Sequence, residues 1–145
     1  MLFLGTFDYA MDERGRLPLP PPYRDAFRGG IVLSQGSPDR CLRVYPRDAF
    51  ERQAQDVMAE PALSRRAMVM RRGMFHRAHT VEMDGQNRIL IPASLREYAR
   101  LSGKVLVTGT GEFLELWNPE EYDGEAVRVA EEYPAAAERS ATRER

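Results

Sequence analysis

The chain contains one stretch of sequence twice, and this repeat constrains the fold more than any other feature. MDERGRLPLPPPYR begins at Met11, and MDGQNRILIPASLR begins 72 residues later, at Met83. The Met, Asp, Arg, Pro and closing Arg return in register, and two leucines return as isoleucines. A solenoid needs about three or more short units, whereas two long copies are typical of an internal pseudo-dimer. We therefore expect two similar halves that pack together because neither can bury a core alone.

The similarity continues beyond this stretch. GGIVLSQGS, from Gly29, resembles GKVLVTGTG, from Gly103, and CLRVYPRDAF (41–50) aligns with FLELWNPEEY (113–122). Apolar residues alternate with polar ones in the second pair of segments, which is typical of half-buried strands. Each copy therefore predicts the order strand, tight turn, strand, short helical piece, strand, loop, strand, helix.

Three longer helices are predicted from apolar residues spaced three or four apart. The last is expected to begin with Asn118 as N-cap and Pro119 in its first position. The three faces comprise Phe50, Ala54, Val57 and Met58; Leu63, Ala67, Met70 and Met74; and Tyr122, Ala126, Val129 and Tyr133.

These elements give an expected organisation of two repeats in one unit. Residues 1–60 form the first repeat with its helix, 61–78 a linking helix, and 79–133 the second repeat with a C-terminal helix. Beyond Tyr133 the chain has no large apolar residue. We expect residues 134–145 to be a disordered tail.

The repeated turn predicts its own geometry. Asp12 suits the first position of a type I turn, where its side chain can cap the following amides. Gly15 suits the left-handed position that closes such a hairpin with a bulge. The second copy has Asp84 in the first position and Asn87, the next most tolerant residue for positive φ, in place of the glycine.

Arg16 and Arg88 follow these turns, close enough to reach back to the aspartates. In one interpretation each Asp–Arg pair is a structural clip that holds the hairpin. In the other, Arg14 and Arg16 project toward phosphates or guanine edges, which arginine recognises through two hydrogen bonds. The second turn reads DGQN and has no basic residue before its arginine. The first turn is therefore the better candidate for an anion contact.

Composition narrows the function classes. The 145 residues carry a net charge of −1, yet residues 61–80 hold five arginines and no acid. The single cysteine, Cys41, rules out an internal disulfide and fits a reducing, cytosolic compartment. No apolar run approaches the roughly 20 residues of a membrane span, and no signal peptide is expected.

An enzyme is not predicted. His76 and His79 are the only histidines and have no cysteine or acid cluster nearby in sequence, so we expect no metal site there. Cys41 lacks a recognisable base partner and is expected to pack against strand neighbours. No glycine-rich loop is followed by the lysine of a phosphate-binding loop.

Taken together, these residues resemble the MraZ family of bacterial transcriptional regulators. The resemblance rests on the opening MLFLGTFDYAMDERGRLPLPPPYR, the two D-x-x-x-R turns, RVYPRDAF and LELWNPEEY, and runs from Met1 to about Tyr133. It implies a mixed, mainly β fold with added helices, of the AbrB and MazE kind. Specifically, it implies a double-split swapped-hairpin β-barrel formed from the two tandem pseudo-repeats.

The resemblance also implies a function. It implies a ring-shaped homo-oligomer whose N-terminal loops bind double-stranded DNA at short direct repeats. These lie upstream of the division and cell-wall gene cluster, where such proteins usually act as repressors of genes that include their own. A cytoplasmic, nucleoid-associated location is expected, with no cofactor, no membrane association and no small-molecule ligand. The alternative is a protein-binding ring scaffold or antitoxin-like module that does not read DNA.

By motif, the DNA-binding residues would lie in the two loops. Arg16 would contact a base or clamp a phosphate, Asp12 would orient it, and Arg14 would contact a phosphate. The full set is Asp12, Arg14, Gly15 (as the turn residue) and Arg16 in the first loop, with Asp84 and Arg88 in the second. Two features depart from the family pattern: Asn87 stands where glycine is usual, and a PLPPP run (18–22) removes backbone donors.

Overall fold

The computed structural model describes residues 1–143 and shows each repeat with the predicted order of elements. The first repeat contains β1 (Thr6–Ala10), β2 (Arg16–Pro18), a 3₁₀ helix (Pro21–Phe27), β3 (Ile31–Gln35), β4 (Leu42–Pro46) and α1 (Arg47–Met58). The connecting helix is α2 (Arg65–Phe75). The second repeat contains β5 (His79–Val81), β6 (Arg88–Leu90), α3 (Ala93–Ala99), β7 (Lys104–Gly109), β8 (Leu114–Trp117) and α4 (Pro119–Arg143).

The strands of the two repeats interleave. Six strands form an antiparallel sheet in the order β1-β7-β8-β4-β3-β5, and β2 pairs with β6 in a separate two-stranded sheet. Strand β1 of the first repeat lies on β7 of the second, and β5 of the second lies on β3 of the first. Each repeat thus completes its sheet with a strand from the other, so the two repeats share one sheet.

The expected mixed fold is confirmed, with antiparallel sheets and helices, but backbone pairing does not close a barrel. Within the described residues the end strands β1 and β5 do not pair with each other. The physical reason is the separation of β2 and β6, which form their own two-stranded sheet. They pair there with each other instead of joining the ends of the large sheet.

The core is built symmetrically from both repeats. Leu17 and Leu19 are fully buried, as are their counterparts Ile89 and Ile91, so the repeated apolar pattern marks the repeated core. Around them one cluster contains Phe3, Phe27, Ile31, Leu33, Leu42, Val44, Leu95, Ala99, Leu101, Val105, Val107, Leu114 and Leu116. This cluster fixes the position of the two turns that precede β2 and β6.

Two helices differ from the sequence-based expectation. The linking helix is shorter than 61–78, because the Ser64 side chain accepts from the Ala67 N–H (3.0 Å) and caps the helix there, which leaves Leu63 exposed. The tail expected to be disordered from residue 134 is instead helical to Arg143, and residues 144–145 lie outside the described part. Large apolar residues are not needed for this, since Ala, Glu and Arg are themselves strong helix formers.

Helix α4 begins as predicted but buries little of its predicted apolar face. The Asn118 Oδ1 atom accepts from the N–H groups of Glu120 (2.9 Å) and Glu121 (3.3 Å), which satisfies the free amides of the first turn. Val129 and Tyr133, expected on the apolar face, are exposed. None of the helices within residues 1–143 is both long and apolar enough to cross a membrane.

Candidate nucleic-acid interface

The first turn has the predicted geometry. The Gly15 N–H donates to the Asp12 carbonyl (3.0 Å), and Gly15 has φ +86°. The Asp12 Oδ1 atom accepts from the N–H groups of Arg14 (3.0 Å) and Arg16 (2.8 Å). Its Oδ2 atom accepts from Arg16 Nε at 2.9 Å. One carboxylate therefore organises both the backbone of the turn and the arginine that follows it.

The second turn repeats this geometry with other residues. The Asn87 N–H donates to the Asp84 carbonyl (3.0 Å), and Asn87 has φ +60°. The Asp84 carboxylate accepts from the N–H groups of Gln86 (2.8 Å) and Arg88 (3.0 Å) and from Arg88 Nε (3.0 Å). Asparagine thus takes the left-handed position that glycine holds in the first copy.

Strands β2 and β6 join the two turns side by side. In their register Arg16 lies opposite Leu90 and Pro18 lies opposite Arg88. Beyond the strands, the Ile91 N–H donates to the Gly15 carbonyl (2.9 Å). The strand pair buries its leucine and isoleucine side chains and leaves Leu90 exposed beside the two partly exposed arginines. Both arginines are thus brought to one surface.

The two arginines are not equivalent. Arg88 is held by Asp84 through Nη2 (3.0 Å) and also approaches Asp12 through Nη1 (3.6 Å), and its side chain is 24% exposed. Arg16 is 31% exposed and is held through Nε alone, so among the described residues neither of its Nη atoms has a partner. Arg14 is exposed at the tip of the turn. Each arginine thus donates a hydrogen bond to its aspartate through Nε, but the Nη groups of Arg88 also lie near two carboxylates, so the first turn is the better source of free donors.

Both aspartates are held in their charged form. The backbone N–H of Arg16 lowers the pKa of Asp12 below its ordinary 3.8, and the Arg16 guanidinium and the Arg14 N–H act in the same direction. The backbone N–H of Arg88, with that of Gln86, lowers the pKa of Asp84 in the same way. The carboxylates are thus available as acceptors at neutral pH.

Arg96 belongs to this surface, although it was not among the predicted site residues. It extends from α3 of the second repeat onto the first turn, where a β-carbon on Gly15 would lie 2.9 Å from its Cζ and Nε atoms. The Arg96 Nε atom is buried without a hydrogen-bond partner in the described structure. The sequence did carry a signal, since Arg96 is the closing arginine of the second quoted repeat.

Comparison with known proteins identifies the family of this arrangement. The family described as "MraZ protein, putative antitoxin-like" matches residues 2–70 and again residues 74–144. The chain belongs to the MraZ family. The two matched segments begin 72 residues apart, at the spacing of the repeat.

Several named MraZ relatives cover most of the chain. A protein of Thermomicrobium roseum called Transcriptional regulator MraZ is 42% identical over 97% of this chain and 99% of its own length. A protein of the same name from Saccharopolyspora erythraea is 37% identical to this chain, over 94% of this chain and 95% of the relative. Another, from Roseiflexus castenholzii, is also 37% identical, over 81% of this chain and 82% of the relative.

The other residues singled out from the sequence lie elsewhere in this MraZ-family chain. Cys41 is buried directly before β4, and burial raises the pKa of its thiol. His76 is the C-cap of α2, and His79 lies on β5. Within residues 1–143 no three His, Cys, Asp or Glu side chains are grouped so as to hold a metal ion.

Proposed function

We propose that this protein is a transcription regulator that binds double-stranded DNA through its first D-x-x-x-R turn. The relatives named above are transcriptional regulators by name, and the chain belongs to their family. We assign DNA binding to this surface because the guanidinium end of Arg16 is free there and lies beside the exposed Arg14. Both lie on a turn whose backbone is fixed by the Asp12 carboxylate.

The chemistry of recognition follows from this arrangement. Asp12 occupies Nε of Arg16 and leaves the two Nη nitrogens to donate to an acceptor pair such as the O6 and N7 atoms of guanine, or to a phosphate. Because the turn is already ordered, little side-chain entropy is lost on binding. Arg14 makes no side-chain hydrogen bond to the described protein and is assigned a phosphate contact.

The second turn is assigned a lesser role. Arg88 already lies against both Asp84 and Asp12, so a nucleic-acid contact by Arg88 would compete with these two carboxylates. The loop also lacks a basic residue at its tip. We therefore assign Asp84 and Arg88 chiefly to support of the first turn.

We further propose that the chain acts as a ring-shaped homo-oligomer. One turn with two arginines makes few contacts, whereas a ring would present many turns to short direct repeats and gain affinity by avidity. The proposed target is the DNA upstream of the division and cell-wall gene cluster, including the protein's own gene, with repression as the result. The location would be cytoplasmic and nucleoid-associated. The interleaved β2–β6 pairing supports a swapped-hairpin origin of the fold.

The test is a fluorescence-anisotropy titration of the full-length protein onto the duplex upstream of its own gene. A scrambled duplex measures specificity, and titrations at roughly 50 and 200 mM salt measure the phosphate contribution. The variants are Arg16→Ala and Arg14→Ala. The control is Arg128→Ala, which removes an exposed arginine from α4, where it is paired with Glu132 (2.7 Å).

We expect Arg16→Ala to weaken binding to the native duplex by roughly 5- to 160-fold, which corresponds to about 1–3 kcal/mol for one base contact. Arg14→Ala should weaken binding to both duplexes alike and reduce the salt slope by about 0.9 per contact. Arg128→Ala should bind as the unmodified protein does. Since Arg16 also clips the turn, circular dichroism must show that its variant is folded; Arg14 carries no such structural contact.

Binding that is absent, or equal on both duplexes and indifferent to Arg14 and Arg16, would overturn the proposal. The D-x-x-x-R units would then be structural clips only. The protein would be better explained as a protein-binding scaffold or an antitoxin-like module.

A further inference from the structure

A cavity of about 490 Å³ lies between helices α1 and α2 and the ends of β3 and β4, with Tyr98 of α3 also in its lining. Its helical wall is mostly apolar, with Gln53 as a polar residue, and its sheet wall is mostly polar. The helical wall includes Phe50, Val57, Val69, Met70 and Met74, and the sheet wall includes Gln35, Arg43 and Tyr45. Ligand sites in proteins typically have volumes of roughly 300–1,000 Å³ and combine an apolar lining with a few polar groups.

The sheet wall contains a cation without a carboxylate partner. Arg43 is half-buried on β4 and forms no ion pair with any carboxylate of residues 1–143. Its Nη1 donates to the Tyr45 hydroxyl at 3.3 Å and its Nη2 to the Ser37 carbonyl at 3.4 Å, both at the long end of the range. Its Nε atom has no partner in the described structure. The guanidinium is instead stacked on Phe113, 4.7 Å from the ring centre.

The carboxylate that could neutralise Arg43 is engaged elsewhere. Glu115 lies directly opposite Arg43 in the β4–β8 register. Its Oε1 accepts from Trp117 Nε1 at 3.1 Å, and its Oε2 accepts from the Cys41 thiol at 3.4 Å. Both oxygens of Glu115 are thus engaged by other donors, and Glu115 forms no ion pair with Arg43 although the two residues are neighbours across the strands.

A second donor in the same wall is also unsatisfied. The Nε2 atom of Gln35 is buried without a hydrogen-bond partner among the described residues. The Tyr45 hydroxyl accepts from Arg43 and donates to Gln53 Oε1 (2.9 Å), and no hydrogen bond joins it to Gln35 in the described structure. Buried donors are normally paired, so this wall, which also contains the cation Arg43, is short of hydrogen-bond acceptors.

We propose that this cavity binds a small amphipathic carboxylate. The carboxylate would accept from Arg43 and Gln35, after a small rotation of either side chain toward the cavity, and a short aliphatic chain would lie against Val57, Met70 and Met74. This inference replaces the sequence-based expectation of no small-molecule ligand. It is independent of the DNA-binding proposal, since none of the cavity residues belongs to the two turns.

The test uses isothermal titration calorimetry of the full-length protein with butanoate, hexanoate and octanoate, and with octan-1-ol as the uncharged probe. Gly73→Leu is the blocking variant. Gly73 lines the cavity from α2, and a β-carbon there meets nothing within 4 Å, so a side chain can be added at this position, and leucine is chosen for its bulk. Gly124→Leu is the matched control, because Gly124 is also helical and also open but lies on α4, outside the cavity.

A second pair of variants tests whether the positive charge of Arg43 contributes to carboxylate binding. Arg43→Gln removes the unpaired cation, and Arg52→Gln removes an exposed cation of α1 that lies 3.5 Å from Asp48 and does not line the cavity. Light scattering on every variant reports the state of assembly.

We expect saturable binding that strengthens from butanoate to octanoate and is at least tenfold weaker for octan-1-ol. Binding should be lost in Gly73→Leu, fall at least tenfold in Arg43→Gln, and be unchanged in Gly124→Leu and Arg52→Gln. Absence of saturable binding by all three carboxylates would overturn the proposal, as would equal binding by Gly73→Leu and Gly124→Leu. The proposal would also be overturned if no carboxylate bound and Gly73→Leu changed the state of assembly. That result would indicate that a second copy of the chain occupies the cavity.

Discussion

The left-handed residue of the first turn gives the sharpest test of the local structure. Gly15 has φ +86°, whereas Gly85 in the second turn has a φ outside the left-handed region and open space around it. We compare Gly15→Ala with Gly85→Ala. Both replacements reduce the freedom of the unfolded chain to the same extent, so this contribution cancels in the comparison.

The remaining difference in stability comes from the backbone conformation at residue 15 and from the space around it. An alanine in the left-handed conformation costs roughly 1–2 kcal/mol, and only Gly15→Ala incurs this cost. A β-carbon at residue 15 would also lie 2.9 Å from the Arg96 guanidinium, which must then move. We expect Gly15→Ala to be less stable than Gly85→Ala by about 1–2 kcal/mol, plus the cost of displacing Arg96.

Urea unfolding followed by fluorescence of the single, buried tryptophan, Trp117, measures this difference. All proteins are compared at one concentration, because assembly would change apparent stability. Repeating the pair with Arg96→Ala separates the contributions: the backbone cost should persist and the steric cost should disappear. If Gly15→Ala were as stable as Gly85→Ala, the positive φ of the first turn, and with it the clip geometry, would be refuted.

The pKa values of Asp12 and Asp84 are lowered on folding, so the stabilisation by these carboxylates is present above pH 3.8 and is lost as the pH falls through their folded-state pKa values. The double Asp→Asn variant should therefore be less stable than the unmodified protein in urea at pH 7, and the deficit should shrink as the pH is lowered below 3.8; a deficit that does not change with pH would contradict this. Asn118→Ala should cost about 1–2 kcal/mol in the same assay because it removes the α4 cap, while Asn118→Asp, which keeps the acceptor, should cost less. The buried Cys41, whose pKa is raised, should react with a thiol reagent at pH 8 only as the protein unfolds, and rapid reaction with the native protein would show that it is accessible.

The turns were predictable from the sequence because their contacts are local. Each Asp carboxylate reaches amides and a guanidinium within four residues along the chain, so the spacing Asp-x-x-x-Arg nearly specifies the structure. The N-cap of α4 was predictable for the same reason. The extent of α4 beyond Tyr133 was predicted wrongly, because the absence of large apolar residues says that the segment is not buried and does not say that it is unfolded.

The contacts between distant residues were not predictable in this way. Nothing local shows that Arg96 packs on Gly15, or that Glu115 is engaged by Trp117 and Cys41 and forms no ion pair with Arg43. The cavity likewise depends on how the α1–α2 pair lies against the sheet. These arrangements depend on side chains that come from different repeats and different elements.

The two-fold repeat, the turn geometry and the alternation that places Leu17 and Ile89 in the core can all be predicted from the amino-acid sequence, because they depend on residues close together or on a period. The pairing of strands from opposite repeats, and the attraction of both Arg16 and Arg88 to Asp12, depend on contacts between distant residues and are seen in the folded chain alone. The shared contact with Asp12 makes the two similar motifs structurally different. Arg88 meets two carboxylates and Arg16 meets one, since the two-stranded sheet brings Arg88 within 3.6 Å of an aspartate 76 residues earlier in the chain.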